Sequence, residues 1–165
     1  MITDLDRKHL QRCVDLAAQA LTTGDEPFGS VLVSSDGRVL FEDHNHVAGG
    51  DHTQHPEFAI ARWAANNMTP AERTVATVYT SGEHCPMCSA AHGWVGLGRI
   101  VYASSSKQLG EWMTALNAPE SPLHALSIED VIRNAQVEGP VEEFAEQVHQ
   151  LHVSFHTKAK NEPAG

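Results

Sequence analysis

Ser81-Gly82-Glu83-His84-Cys85-Pro86-Met87-Cys88 is the stretch on which the reading of this chain turns. It follows a β-branched run at residues 74–80, Thr-Val-Ala-Thr-Val-Tyr-Thr, bounded by turn residues and expected as a central strand. It carries two of the three cysteines, with Pro86 and Met87 between them. Proline suits the first position of a helix and drives the residue before it out of the helical region. Cys85 is therefore expected as an N-cap, Pro86 as the first helical residue and Cys88 as the third. An N-cap and the third helical residue approach one another, as in a capping box. Both sulfurs then converge above a helix N-terminus, where the macrodipole favours thiolates. Alone, such a pair suits a redox centre, a structural zinc or a catalytic metal.

The same local grammar recurs at His55-Pro56-Glu57. Pro56 marks a first helical position and makes His55 an N-cap, free to turn toward a neighbouring helix start. Glu57 falls in the first turn, where a carboxylate suits the dipole. One imidazole and two thiolates leave a tetrahedral zinc one position short, the open pattern of catalytic zinc. Zinc there would make hydroxide available near neutral pH, and a carboxylate that does not ligate the metal can shuttle protons. No second Cys-x-x-Cys exists to close a structural site, although His84 and His92 stand as other candidate ligands.

His-x-Glu followed by Pro-Cys-x-x-Cys is the pattern of the zinc deaminases. At these residues the chain resembles the cytidine deaminase-like superfamily, and within it the nucleobase deaminases that include bacterial guanine deaminase. The resemblance covers residues 5–105 and fits the C-terminal third more loosely. It implies a three-layer α/β/α sandwich with a five-stranded mixed sheet. It also implies one catalytic Zn2+ per chain on His55, Cys85 and Cys88, with Glu57 as the proton shuttle. Asn45 is carried over as a substrate contact, Phe28 as a stacking platform or core residue, and Trp94 as an aromatic lining the pocket. Pro56 stands where many members have alanine and has no backbone N–H to offer a substrate. His84 replaces a usual proline and is expected at the pocket edge or facing water. A second acid helps some guanine deaminases, so Glu142, Glu143 and Glu146 are further candidates. The implied activity is hydrolytic deamination of a small base, guanine first, then an amino-pyrimidine or amino-triazine, by a homodimer. A tRNA adenosine deaminase and a non-catalytic zinc-stabilised module are the alternatives.

Composition bears on the partners. The chain has 165 residues and a formal net charge of −10, with 11 Lys and Arg scattered along it. Nucleic-acid binding draws its affinity from basic patches on phosphates, and none is visible, so a small uncharged substrate and no nucleic acid are expected. No apolar run reaches a membrane-spanning length and the first residues lack a signal-peptide pattern, so no membrane partner and a cytoplasmic location are expected. Cys13 reads as a buried thiol in an amphipathic helix, and of 11 histidines only His55 is assigned to the site.

Along the chain, residues 3–23 predict a helix capped by Thr3 or Asp4 and ended by Gly24. Residues 28–33 and 38–45 predict a hairpin around Ser34-Ser35-Asp36-Gly37. Helices are expected from His55 to about Asn67 and over residues 86–96, with a strand over 99–103. Beyond these come a helix over 109–116, a short helix and last strand within 128–137, and an apolar closing segment over 140–155. A hairpin followed by strand–helix alternation predicts a mixed sheet flanked by helices. Residues 1–157 are expected to form one domain and residues 158–165 a disordered polar tail.

Overall fold

The computed structural model describes residues 1–161, with side chains through Lys158. In chain order the elements are α1 (Asp4–Thr22), β1 (Gly29–Val33), β2 (Val39–His44), a 3-10 turn (Val47–Gly49), α2 (Pro56–Asn67), α3 (Pro70–Val75) and β3 (Thr77–Gly82). Then follow α4 (Pro86–Val95), β4 (Arg99–Ser104), α5 (Ser106–Ala115), α6 (Ile128–Val131), β5 (Val137–Glu138) and α7 (Glu142–Asn161).

Thr3 caps α1 reciprocally. Its hydroxyl accepts from the Asp6 N–H while the Asp6 carboxylate accepts from the Thr3 N–H at 2.8 Å. Leu10, Cys13, Val14, Leu16, Ala17 and Ala20 make its buried stripe. Gly29 is required where α1 crosses β1, because a Cβ there would lie 2.5 Å from both the Cys13 carbonyl and the Leu16 Cβ.

The five strands run in the order β2-β1-β3-β4-β5. The β1 strand pairs antiparallel with β2 and with β3, whereas β3–β4 and β4–β5 are parallel. On one face α1 and α7 close a core of Leu10, Val14, Val31, Tyr79, Val101, Phe144 and Val148. On the other, Leu32, Ile60, Ala61, Ala64 and Val78 pack with Ala91 and Val95 of α4. The result is the expected three-layer α/β/α arrangement, with β3 in the centre of the sheet.

Three local expectations change. Residues 70–75 form α3 rather than the start of the strand, because Thr69 and Glu72 make a capping box around Pro70. That signal outweighs the β-branched Thr74 and Val75. Ser105 likewise caps α5 and starts it three residues ahead of the expected Leu109. The polar tail expected from Lys158 instead continues α7 to Asn161, and the rest of it, residues 162–165, lies outside the described residues. No helix among the described residues is long and apolar enough to cross a membrane.

Candidate active site

The proline-started helices α2 and α4 lie side by side beneath the sheet. Their N-caps, His55 and Cys85, both take extended backbone angles; the His55 side chain makes no cap hydrogen bond, and the Cys85 sulfur turns to Cys88. Freed from capping, both turn toward the space between the helix mouths. Nδ1 of His55 lies 3.6 Å from Sγ of Cys85 and 3.6 Å from Sγ of Cys88. Tetrahedral bonds of about 2.05 Å to nitrogen and 2.3 Å to sulfur place those atoms roughly 3.6 Å apart. The donor set and its spacing fit a zinc ion. Cys88 is fully buried, and His55 and Cys85 are half-buried.

Charge in the cluster is shared. The Cys88 thiol, against the cost of burial, holds Cys85 down to about 4, with His55 adding to the effect. The Cys85 thiolate and burial push the Cys88 thiol up. Burial opposes the His55 charge, but Cys85 and Glu57 raise its pKa above the ordinary value. An anionic pocket beneath two helix mouths is a ready place for a divalent cation.

Glu57 is buried beside the cluster, with its Oε2 3.9 Å from Sγ of Cys88. Its other oxygen is tied down. The Thr80 hydroxyl lies 2.6 Å from Oε1, and the Ser30 hydroxyl lies 3.0 Å from Oε1 and 2.9 Å from the Thr80 oxygen. One carboxylate oxygen is held by the sheet while the other faces the metal ligands. Burial pushes the Glu57 carboxyl up from its ordinary value, opposed by His55 and the Thr80 hydrogen bond. Ser30 and Thr80 were not singled out from the sequence. Each sits at a buried strand position, Ser30 among the apolar residues of β1 and Thr80 beside Ser81 in β3, and no local pattern marks either as facing Glu57.

Asn45 is 1% exposed and follows β2 directly. Its Oδ1 accepts from the Val47 N–H at 3.0 Å, and its backbone N–H donates to the Phe28 carbonyl at 3.0 Å. Nδ2 is buried with no partner among the described residues. The amide therefore has its donor unpaired while its oxygen is engaged. An unmet buried donor costs about 1–3 kcal/mol and awaits an acceptor. Phe28 is half-buried, with its ring 5.0 Å from that of His152, edge to face. Pro56 is buried at the first position of α2.

Other expectations need correction. Trp94 is 91% exposed on α4, so within one chain it lines no pocket, because its helix turns it to solvent. His84 reaches neither the pocket edge nor water. It is 1% exposed and packs edge to face on His92, with ring centroids 5.3 Å apart. Glu142, Glu143 and Glu146 are exposed on α7, on the face of the sheet opposite α2. Glu143 pairs with Arg7, and Glu146 accepts from Gln150 at 2.8 Å. None of the three joins the cluster within this chain.

Comparison with known proteins places this arrangement. The chain is 32% identical to a probable cytosine deaminase of Schizosaccharomyces pombe over 108 residues, 66% of this chain and 65% of that protein. It is 34% identical to a guanine deaminase of Bacillus subtilis over 104 residues, 62% of this chain and 66% of that protein. A tRNA-specific adenosine deaminase of Haemophilus influenzae matches at 28% over 66% of this chain and 63% of its own length. The alignments thus span a little under two thirds of these relatives. Among solved structures, a mutant of the Nitrosomonas europaea guanine deaminase in complex with 8-azaguanine superposes with a TM-score of 0.72 at 17% identity. That match covers 93% of this chain and 85% of the other, and shows a shared fold. The model of the cytidine and deoxycytidylate deaminase zinc-binding region matches residues 3–104, which include Glu57 and all three candidate metal ligands. This chain belongs to the cytidine and deoxycytidylate deaminase zinc-binding family.

Proposed function

We propose that this protein is a zinc-dependent hydrolytic deaminase of a small free heterocyclic base, with guanine as its leading substrate and amino-pyrimidines or amino-triazines next. The observation that carries the reading is His55 Nδ1 standing 3.6 Å from both cysteine sulfurs, beside a buried carboxylate that Thr80 ties to the sheet through Oε1 while Oε2 faces Cys88. His55, Cys85 and Cys88 would hold the zinc. The chemistry it supplies when bound is ionisation of water near neutral pH.

The protein's own residues do the rest. Glu57 takes a proton from water through its free oxygen and delivers it to the ring nitrogen beside the reacting carbon. The hydroxide so formed adds to that carbon. Glu57 then takes the remaining proton of the new hydroxyl and hands it to the exocyclic amine. The C–N bond breaks, ammonia leaves and the carbon keeps the oxygen as a carbonyl. Ser30 and Thr80 hold the carboxylate at one angle through both transfers. Asn45 Nδ2 donates to an acceptor on the base and orients it. Half-buried Phe28 supplies an apolar wall, and Pro56 closes the floor without offering a donor.

Guanine leads because the Bacillus subtilis relative is named a guanine deaminase and the fold is shared with a protein bound to 8-azaguanine. The tRNA reading rests on the Haemophilus influenzae relative, and the charge of −10 opposes it. Residues 1–157 act as one domain in this account, in a cytoplasmic homodimer that serves purine metabolism and has no nucleic-acid or membrane partner. The test is ammonia release over guanine, cytosine, melamine, adenosine and a tRNA anticodon stem-loop, with and without a zinc chelator. Chelator-sensitive turnover of guanine is expected, and turnover of the stem-loop alone would replace this reading with the tRNA one.

A further inference from the structure

A second group of metal-ligating side chains lies apart from the His55 cluster. One ligand atom each from Asp25, His44 and His46 falls within 4.8 Å of the others. Asp25 lies just beyond α1, His44 ends β2, and His46 precedes the 3-10 turn. Two separate stretches of chain, the end of α1 and residues 44–46, converge there.

The hydrogen bonds around the two rings decide what they present. Nδ1 of His44 lies 2.8 Å from the Asn45 carbonyl oxygen. A carbonyl only accepts, so Nδ1 carries the hydrogen and Nε2 keeps a bare lone pair. Nε2 of His46 lies 2.7 Å from a carboxylate oxygen of Asp43. That nitrogen therefore carries the hydrogen, and Nδ1 is bare. Metal-binding imidazoles characteristically donate their other N–H to a backbone carbonyl or a carboxylate, which fixes the tautomer and the ring. Here both forms of that support occur in one cluster. The rings lie 4.4 Å apart, close enough to serve one ion.

Charge points the same way. Asp25 is 4% exposed. Its oxygens accept only neutral donors, the Ala48 N–H at 2.8 Å and the Thr23 hydroxyl at 2.6 Å. No lysine or arginine pairs with it among the described residues. Buried charges are paired or coordinate metals. Two carboxylates, Asp25 and Asp43, thus stand around the two imidazoles without a lysine or arginine partner among the described residues, a setting that suits a divalent cation.

We propose that Asp25, His44 and His46 form a second cation site, for a borderline divalent transition metal such as zinc or cobalt. Two nitrogens and one oxygen suit such ions, whereas calcium and magnesium take oxygen ligands. Tetrahedral bonds near 2.0 Å require ligand atoms roughly 3.3 Å apart. The His46 side chain, 48% exposed, is the one free to swing inward, and its open side leaves a position for water. A metal held there fastens the end of α1 to both neighbours of Asn45 and so braces the turn that carries that amide. The site stands apart from the deaminase reading and does not depend on it.

The full chain, stripped of metal and dialysed against cobalt(II), gives the test by bound metal per chain and by absorption. Two equivalents are expected. One carries the near-ultraviolet thiolate-to-cobalt band of the cysteine site and the other lacks it. His46→Ala, at a half-exposed position that should leave the fold intact, is expected to weaken only the second equivalent, at least tenfold. Asp25→Asn, matched in shape, is expected to do the same. Cys85→Ser removes the thiolate band and leaves the second equivalent in place, so failure at either site is read separately. Saturation at one equivalent in the native chain overturns the proposal. A second equivalent indifferent to both His46→Ala and Asp25→Asn overturns it too, because the metal then sits on other histidines.

Discussion

Glu57 is the residue on which the proposed chemistry concentrates. Replacing it with glutamine keeps its shape and removes its proton transfer. Ammonia release should fall on the order of 10²–10⁴-fold, with the metal content measured by atomic absorption unchanged. Near-normal turnover with metal bound would refute its role. The two hydroxyls beneath it make a subtler case. A donor to a carboxylate favours the charged form, and the Thr80 hydrogen bond already pulls the Glu57 pKa down against burial. Thr80→Val should therefore raise that pKa further. The acid limb of the kcat/KM profile should move to higher pH while the plateau falls, and an unmoved limb would show that Thr80 only packs. Reading residues one by one found the carboxylate because His-Pro-Glu is local. It passed over Ser30 and Thr80 because nothing local says which strand residues face a buried acid.

Prolines at the first helical position organise the site at the scale of elements. Pro56 and Pro86 start α2 and α4 and leave His55 and Cys85 as N-caps outside the helices. The C-terminus of α4 is set by Gly96, which takes a left-handed conformation with φ of 73°. Glu83, within the motif itself, ties later elements back to it. Its two oxygens accept from the N–H groups of Ser106 and Ile128 at 2.8 and 3.0 Å, at the starts of α5 and α6. On the opposite face the contact of α1 with β1 depends on Gly29 having no side chain. Gly29→Ala drives a methyl into the Cys13 carbonyl and should cost about 1–3 kcal/mol. A lowered denaturant midpoint at unchanged slope is the expected measurement. Helix starts were legible at His55-Pro56 and Cys85-Pro86, where a cap and a proline coincide. Thr69-Pro70-Ala71-Glu72 carried the same signal, and the β-branched residues that follow hid it.

At the scale of the molecule, one polar network joins the N-terminal end of the described chain to the sheet. Asp6 of α1, 2% exposed, accepts from Tyr79 of β3 at 2.7 Å and from Arg99 of β4 at 2.7 Å. Arg99 also reaches Glu138 of β5 at 2.8 Å, and Glu138 pairs with the Met1 amino group. Burial works against the Asp6 charge, but Arg99, Thr3 and Tyr79 hold its carboxyl well below the usual range. Its folded pKa is thus depressed. The stability it contributes is complete above the unfolded value of about 4 and is lost as pH falls from there toward the folded value. Asp6→Asn should cost on the order of 3 kcal/mol at neutral pH and flatten the decline of stability below about pH 4. Denaturation at pH 7 and pH 3 checks both, and parallel declines in the two proteins would assign the acid sensitivity elsewhere.

By itself the amino-acid sequence determined what short-range physics decides. Proline and the capping residues set the helix starts, apolar periodicity set the buried faces, and His-Pro-Glu with Cys-Pro-Met-Cys named the donors and the open coordination position. Those rules act within a few residues along the chain. The tertiary structure alone decided which distant groups meet. It placed two hydroxyls from β1 and β3 under one carboxylate, left only the donor half of Asn45 unpaired, buried His84 and turned Trp94 to solvent. Such contacts follow from strand order, register and the packing of α2 against α4. The contacts of Glu57 with Thr80 and Ser30 join residues 23 and 27 apart, and no local preference encodes that closure.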